Sequence, residues 1–276
     1  MKGTELATWL ASIALAMGSA SGCGGGDAGD TGTAGTSETA TTSETTPTGP
    51  TSETGTPAGL GGAYDQFSDN VVVYLDGDEV VFETNGWPDH ETPYWGPGHP
   101  LYVEPTVTSE DAMAPGFIER FQGSFTLRVP RNPTRAARSS QTGLGPIGIA
   151  VSGAVIYNDQ EGPNVPLDNA VVSLDYTGAH TGPQSYHYHL EPIAWSQDDE
   201  ALIGIMADGF FLYGRREPAS EGGDYPADLD TSGGHEGPTV YGDDDEYHYH
   251  IQNEPYLDQY YILFPGDYQG TPSAIQ

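Results

Sequence analysis

The chain repeats itself, and each repeat ends in the same histidine-rich tetrapeptide. Gly148-Ile149-Ala150-Val151-Ser152-Gly153-Ala154-Val155-Ile156-Tyr157 realigns on Gly204-Ile205-Met206-Ala207-Asp208-Gly209-Phe210-Phe211-Leu212-Tyr213, an offset of 56 residues. Further on, Leu174-Asp175-Tyr176-Thr177-Gly178-Ala179-His180 realigns on Leu229-Asp230-Thr231-Ser232-Gly233-Gly234-His235, an offset of 55. Both copies then reach Tyr-His-Tyr-His, at residues 186–189 and 247–250, the second delayed by an acidic insertion at Asp243 to Glu246. A register held over separated blocks marks an internal duplication, with copies at about 144–192 and 200–255. Whatever one copy folds into, the other must fold into as well.

The local pattern is that of strands and tight turns. In each copy apolar residues flank Ser152-Gly153 or Asp208-Gly209, as a hairpin requires. Asp76-Gly77-Asp78 is flanked in the same manner by Asn70 to Leu75 and Glu79 to Glu83, and Ser124 to Val129 alternates like a strand. No segment carries a long helical period. The expected fold is mainly β: a single domain of two hairpin-plus-histidine-strand units, with long loops supplied by 38 Gly and 22 Pro.

Alternation also fixes what the tetrapeptide can do. Successive strand side chains point to opposite faces, so both imidazoles of Tyr-His-Tyr-His share one side and the tyrosines pack on the other. His180 and His235 stand upstream, behind Gly178 and Gly233, where the backbone can turn a third ring inward. The candidate metal ligands are therefore His180, His187 and His189, with His235, His248 and His250 as their counterparts. Three imidazoles leave a fourth position for water or substrate, whereas two triads merging across the duplication would close a richer cage. Imidazole with carboxylate suits zinc, copper, nickel or iron(II), and zinc or copper is the expected cofactor. Asp175 and Asp230 are expected as further ligands, as acceptors for an imidazole N–H, or simply as turn caps. His90 is a weaker candidate, and His99 reads as an ordinary loop residue.

The first 62 residues are not domain material. Residues 1–22 read as an export signal, with Lys2 followed by a mostly apolar run from Leu6 to Met17 that is too short to span a bilayer. That run ends at Ala20-Ser21-Gly22-Cys23, which resembles a bacterial lipobox, so Cys23 is the expected lipidation site. As the only cysteine in the chain, Cys23 leaves no thiol for a disulfide or a Cys-metal site. Residues 23–62 are Gly, Thr, Ser, Glu, Ala and Pro with almost no apolar side chains, and are expected to act as a flexible tether. The domain proper is placed at 63–276. Gly24 after the cysteine favours lipid anchoring in the outer membrane or at the cell surface.

Charge narrows the partners. With 40 acidic against 8 basic residues the net charge is -32, which disfavours nucleic acid and leaves the lipid anchor as the only membrane contact. Cations are the natural partners. No nucleophile elbow, P-loop or dinucleotide fingerprint occurs. Arg120, Arg128, Arg131, Arg135 and Arg138 are expected to pair with carboxylates, Arg215-Arg216 offers a candidate anion site, and Asp243 to Glu246 a candidate calcium loop lacking EF-hand spacing.

At these residues the chain resembles the YHYH family, exported and mostly bacterial proteins named for this tetrapeptide. The resemblance runs from Leu144 to about Pro265 and covers Leu144-Gly145-Pro146-Ile147-Gly148, both hairpins, Leu-Asp-x-x-Gly-x-His and both tetrapeptides, with Asn85 to His90 as a candidate extension. It implies no established activity. A cysteine commonly precedes the Gly-Gly-His element in that family, and Thr177 and Ser232 stand there in this chain. Three functions follow as expectations: a tethered domain binding a transition metal ion, a metal-dependent hydrolytic or oxidative enzyme using the same ligands, or a metal-free β module for adhesion or carbohydrate.

Overall fold

The computed structural model describes residues 59–106, 110–121, 123–182 and 185–276. The expected export signal, Cys23 and all but the last residues of the expected tether lie outside them. The described residues fall in one unit. It is mainly β, with only short 3-10 turns as helix among the described residues.

Among the described residues there are thirteen strands: β1 (Val71–Asp76), β2 (Glu79–Thr84), β3 (Phe125–Pro130), β4 (Gly148–Ala150), β5 (Val155–Ile156), β6 (Gln160–Gly162), β7 (Val165–Pro166), β8 (Ala179–Thr181), β9 (Tyr186–Tyr188), β10 (Leu202–Met206), β11 (Phe211–Tyr213), β12 (Gly234–Thr239) and β13 (Gly242–His250). The expected Asp76-Gly77 hairpin joins β1 to β2, with Gly77 at φ 67°. The alternating segment near Ser124 adds β3 to complete a three-stranded antiparallel sheet. Val80 lies opposite Val129 and Phe82 opposite Leu127, and all four are buried, so a β-branched or aromatic pair meets an aliphatic one on the core face.

The duplication becomes the eight-stranded sheet. Its order is β12-β13-β11-β10-β4-β5-β9-β8, which reads the same from either end once the copies are exchanged. At the centre β4 and β10 run antiparallel with Gly148 opposite Met206, Ile149 opposite Ile205 and Ala150 opposite Gly204. Ile149 and Ile205 are equivalent residues, so a local twofold axis passes through their pair. The ladders beyond it match: Ile156 lies opposite Tyr188 and Leu212 opposite Tyr249 in parallel pairs, His180 opposite His187 and His235 opposite His248 in antiparallel ones. The acidic insertion is taken up as the leading half of β13, which runs through it as strand rather than as a loop.

One core serves both sheets. Phe82, Leu127 and Val129 belong to the same buried cluster as Ile149, Ile205, Leu212 and the four motif tyrosines. The Thr84 hydroxyl donates to the Gly153 carbonyl at 2.7 Å, tying β2 to the tip of the first repeat hairpin. Leu60 and Tyr64 pack against this cluster too, so ordered packing reaches three residues upstream of the expected start at 63.

Candidate metal centres

Each triad is assembled by two strands and one turn. Asp175 and Asp230 begin equivalent turns in which Gly178 and Gly233 adopt φ of 75° and 80°, a left-handed conformation that glycine takes without strain. At Gly178 a Cβ would also lie 2.7 Å from the Leu190 carbonyl oxygen. The turn delivers His180 to β8 and His235 to β12, opposite the first histidine of each tetrapeptide. His180, His187 and His189 then form one cluster whose nitrogens lie within 4.8 Å of one another. His235, His248 and His250 form the other, together with Glu217. The triads do not merge into one cage: β8–β9 and β12–β13 stand at opposite ends of the sheet, because the twofold axis lies between the copies.

Hydrogen bonding sets the state of every ring. His187 Nδ1 faces the Ser185 carbonyl at 3.2 Å and His189 Nδ1 the Asn158 carbonyl at 2.6 Å. His248 and His250 face the Glu246 and Gly214 carbonyls, both at 2.8 Å. A carbonyl only accepts, so each of these Nδ1 atoms carries the proton. His235 Nδ1 meets the Asp228 carboxylate at 3.0 Å. His180 Nδ1 meets Ser173 Oγ at 2.8 Å, and that hydroxyl already donates to Ala170, leaving it to accept from the ring. In its neutral form, each ring therefore presents a bare lone pair at Nε2.

Those lone pairs face one another. His180 and His187 approach Nε2 to Nε2 at 3.1 Å, His235 and His248 at 3.2 Å, and His248 and His250 at 3.0 Å. His189 Nε2 is buried with no hydrogen-bond partner. Burial works against relieving the contacts by protonation. Burial pushes His180 and His250 down to about 3 and His189 and His248 to about 4, and holds His187 well below the usual imidazole range. A cation does relieve them. Nitrogens about 2.0–2.1 Å from a tetrahedral zinc ion lie roughly 3.3 Å apart, close to the separations here.

Beside each triad stands a carboxylate that lies outside the repeated histidine motifs. Glu161 Oε1 lies 3.4 Å from Nε2 of both His180 and His189. Glu217 reaches His235 Nε2 at 3.3 Å and His250 Nε2 at 3.8 Å. Burial raises both carboxyls above their ordinary range, although His235 opposes this at Glu217. The signal that would have found them is the repeat register itself, since Glu161 and Glu217 are 56 residues apart.

Other expected residues go elsewhere. Among the described residues, the hydrogen bonds of Asp175 and Asp230 go to partners other than imidazoles. Asp175 Oδ1 caps the turn through Thr177 N–H and hydroxyl, and Oδ2 accepts from the Tyr186 and Thr92 hydroxyls. Asp230 caps through Ser232 N–H and accepts from Tyr247. A carboxylate opening an Asp-x-x-Gly turn faces the amides just beyond it, out of reach of the ring. His90 meets Tyr188 Oη at 2.6 Å and the Glu91 carbonyl, and joins neither triad. His99 stacks on Trp95. Arg215 is buried against Glu191 and Asp198, and Arg216 pairs with Asp198, so the anion site expected there is filled by the chain's own carboxylates. Arg128 pairs with Asp76 and Glu79, and Arg135 with Asp230 and Glu236, as expected, whereas Arg131 donates to the Gly59 carbonyl and Arg120 lies over the Phe117 ring.

Residues 124–224 match the family model described as YHYH protein. The match starts upstream of the expected Leu144, at β3, and takes in the first triad, Glu161 and Glu217, but ends before the second triad. No curated protein and no solved structure gives a significant match.

Proposed function

We propose that this chain, which belongs to the YHYH family through residues 124–224, is an exported, lipid-anchored protein whose domain binds two transition metal ions, zinc or copper, one in each triad. The observation that carries metal binding is the meeting of bare Nε2 lone pairs at 3.0–3.2 Å in both copies, every Nδ1 being held as a donor. Leaving such atoms buried and unpaired costs about 1–3 kcal/mol each, which a bound cation replaces with a favourable interaction. An excess of 40 acidic over 8 basic residues draws cations toward both centres. The motif tyrosines are buried behind the histidines, which speaks for metal binding over an aromatic platform for carbohydrate. The anchor rests on Cys23 and the apolar run before it.

The test uses the full chain, expressed without a histidine tag and purified in detergent without chelators. Elemental mass spectrometry should find two equivalents of zinc or copper, one in His187→Ala, one in His248→Ala and none in the double variant. Absence of metal even after loading with zinc and copper overturns the reading. Cys23→Ser should move the protein from the membrane fraction to the soluble exported fraction; retention in the membrane would refute the anchor.

A further inference from the structure

The two centres differ in what closes them. At the second, the Glu217 carboxylate lies inside the same 4.8 Å group as the three imidazoles, giving four donors, and its side chain is only 15% exposed. At the first, the compact group is the three imidazoles alone. Glu161, 28% exposed, stands beside His180 and His189 at the edge of that group.

In front of the first triad is a cavity of about 510 Å³ whose lining includes all three histidines. Its remaining wall includes Ala114, Pro115, Phe121 and Tyr157. Ala114, Pro115 and Phe121 precede the duplicated sequence and so have no counterpart in the second copy. Thr181 of β8 fastens this segment by donating from its hydroxyl to the Gly116 carbonyl at 3.1 Å. At the equivalent place on β12 stands Glu236, whose side chain is 64% exposed. Neither of two other large cavities, one beside Arg131 and Arg135 and one beside Glu200 and Tyr241, is lined by a ligand of the second triad.

From this asymmetry we infer that the copies have diverged. The first centre is an open metal site that takes a small, uncharged donor molecule with an apolar body as its fourth ligand, and the second is closed by Glu217. The inference rests on reading the triads as metal centres. Glu161 at the cavity wall and the acidic chain disfavour anions there, while Phe121, Ala114 and Pro115 favour an apolar body.

The experiment uses the full chain loaded with cobalt(II), whose visible absorption reports coordination, titrated with imidazole and with phenylimidazole. Two cobalt ions should bind and half of the absorption should respond. Phenylimidazole should act at about tenfold lower concentration than imidazole, the gain expected from burying its ring. His187→Ala should abolish the response. Ala114→Trp, which fills the cavity from a position that supplies no metal ligand, should still bind two cobalt ions while its response to phenylimidazole weakens by about tenfold or more. Two bound ions of which both or neither respond, or a response untouched by Ala114→Trp, would overturn the inference and leave metal binding standing. Failure to bind cobalt at all would overturn both.

Discussion

Glu161 and Glu217 hold equivalent positions in the two repeats, each with a carboxylate oxygen within 3.4 Å of the Nε2 of its copy's upstream histidine, His180 or His235. The difference lies in how fully each joins its triad. Glu217 completes a four-donor group, so Glu217→Gln removes a charged ligand and should weaken the second centre by at least 100-fold. Glu161→Gln removes a neighbour of the ligands, and a loss nearer 10-fold is expected at the first. Competition titration against a chromophoric chelator separates the two, and equal losses would show that the carboxylates play the same part.

Asp175 and Asp230 test whether the tyrosine face and the histidine face are built together. Asp175 is buried and accepts from Thr177, Tyr186 and Thr92, so an amide nitrogen in place of Oδ2 would confront two hydroxyl donors. Asp175→Asn should cost about 2–3 kcal/mol. In a domain of this size that lowers Tm by roughly 5–10 °C in the metal-free protein. Asp230 is more exposed and shares its charge with Arg135, so Asp230→Asn should cost less than half as much. Differential scanning calorimetry reads both. A larger effect at Asp230 would place the weight of the fold on the second copy instead.

Much of this arrangement was legible in the chain. Alternation in Tyr-His-Tyr-His puts imidazoles on one face and phenols on the other because the strand period is two, and the hairpins follow from Ser152-Gly153 and Asp208-Gly209. Gly178 and Gly233 announce the turn that brings in the third ring. The carboxylate partners were hidden for a physical reason: among 40 acidic residues, nothing but the register distinguishes Glu161 from Glu217's many neighbours. The Nδ1 acceptors were hidden more deeply. Asn158 and Gly214 act through backbone carbonyls, which every residue possesses, so only tertiary placement selects them. Whether two triads merge or stand apart depends on the β4–β10 seam, a long-range pairing that local pattern does not encode.

Acid should unfold the metal-free protein from an unusually high pH. Burial depresses His180 and His250 to about 3 and His189 and His248 to about 4 in the folded state, while the unfolded chain titrates near pH 6.5. Between these values the unfolded chain holds protons that the folded one does not. Stability is therefore complete above pH 6.5 and falls as the pH drops toward 3–4. Asp208, Glu161 and Glu217 are raised by burial and act in the opposite sense as they take up protons. The histidine contribution is read between pH 6.5 and 4, as the difference between the native sequence and a histidine variant. Thermal melts in chelator should show Tm falling across that window in the native sequence and falling less in His189→Gln/His250→Gln. A flat profile in the native sequence would mean that the imidazoles are solvated.

The seam between the copies offers the sharpest test of the fold. Gly148 and Gly204 flank the twofold pair of Ile149 and Ile205 from opposite sides. A Cβ at Gly204 would stand 2.3 Å from the Ile149 carbonyl oxygen, and one at Gly148 would stand 2.7 Å from that of Ile205. Both obstacles are backbone, so no side-chain rotation relieves them and the strands themselves must part. Gly204→Ala should cost about 3 kcal/mol or more, at the upper end for an added methyl in a packed core. Gly148→Ala should cost somewhat less. Gly143→Ala, where the methyl meets nothing within 4 Å, should be nearly neutral. Urea denaturation ranks the three. Because one seam joins both repeats, Gly204→Ala should lower the midpoint of a single transition; two separated transitions would instead mean that each copy folds on its own and that the shared core is dispensable.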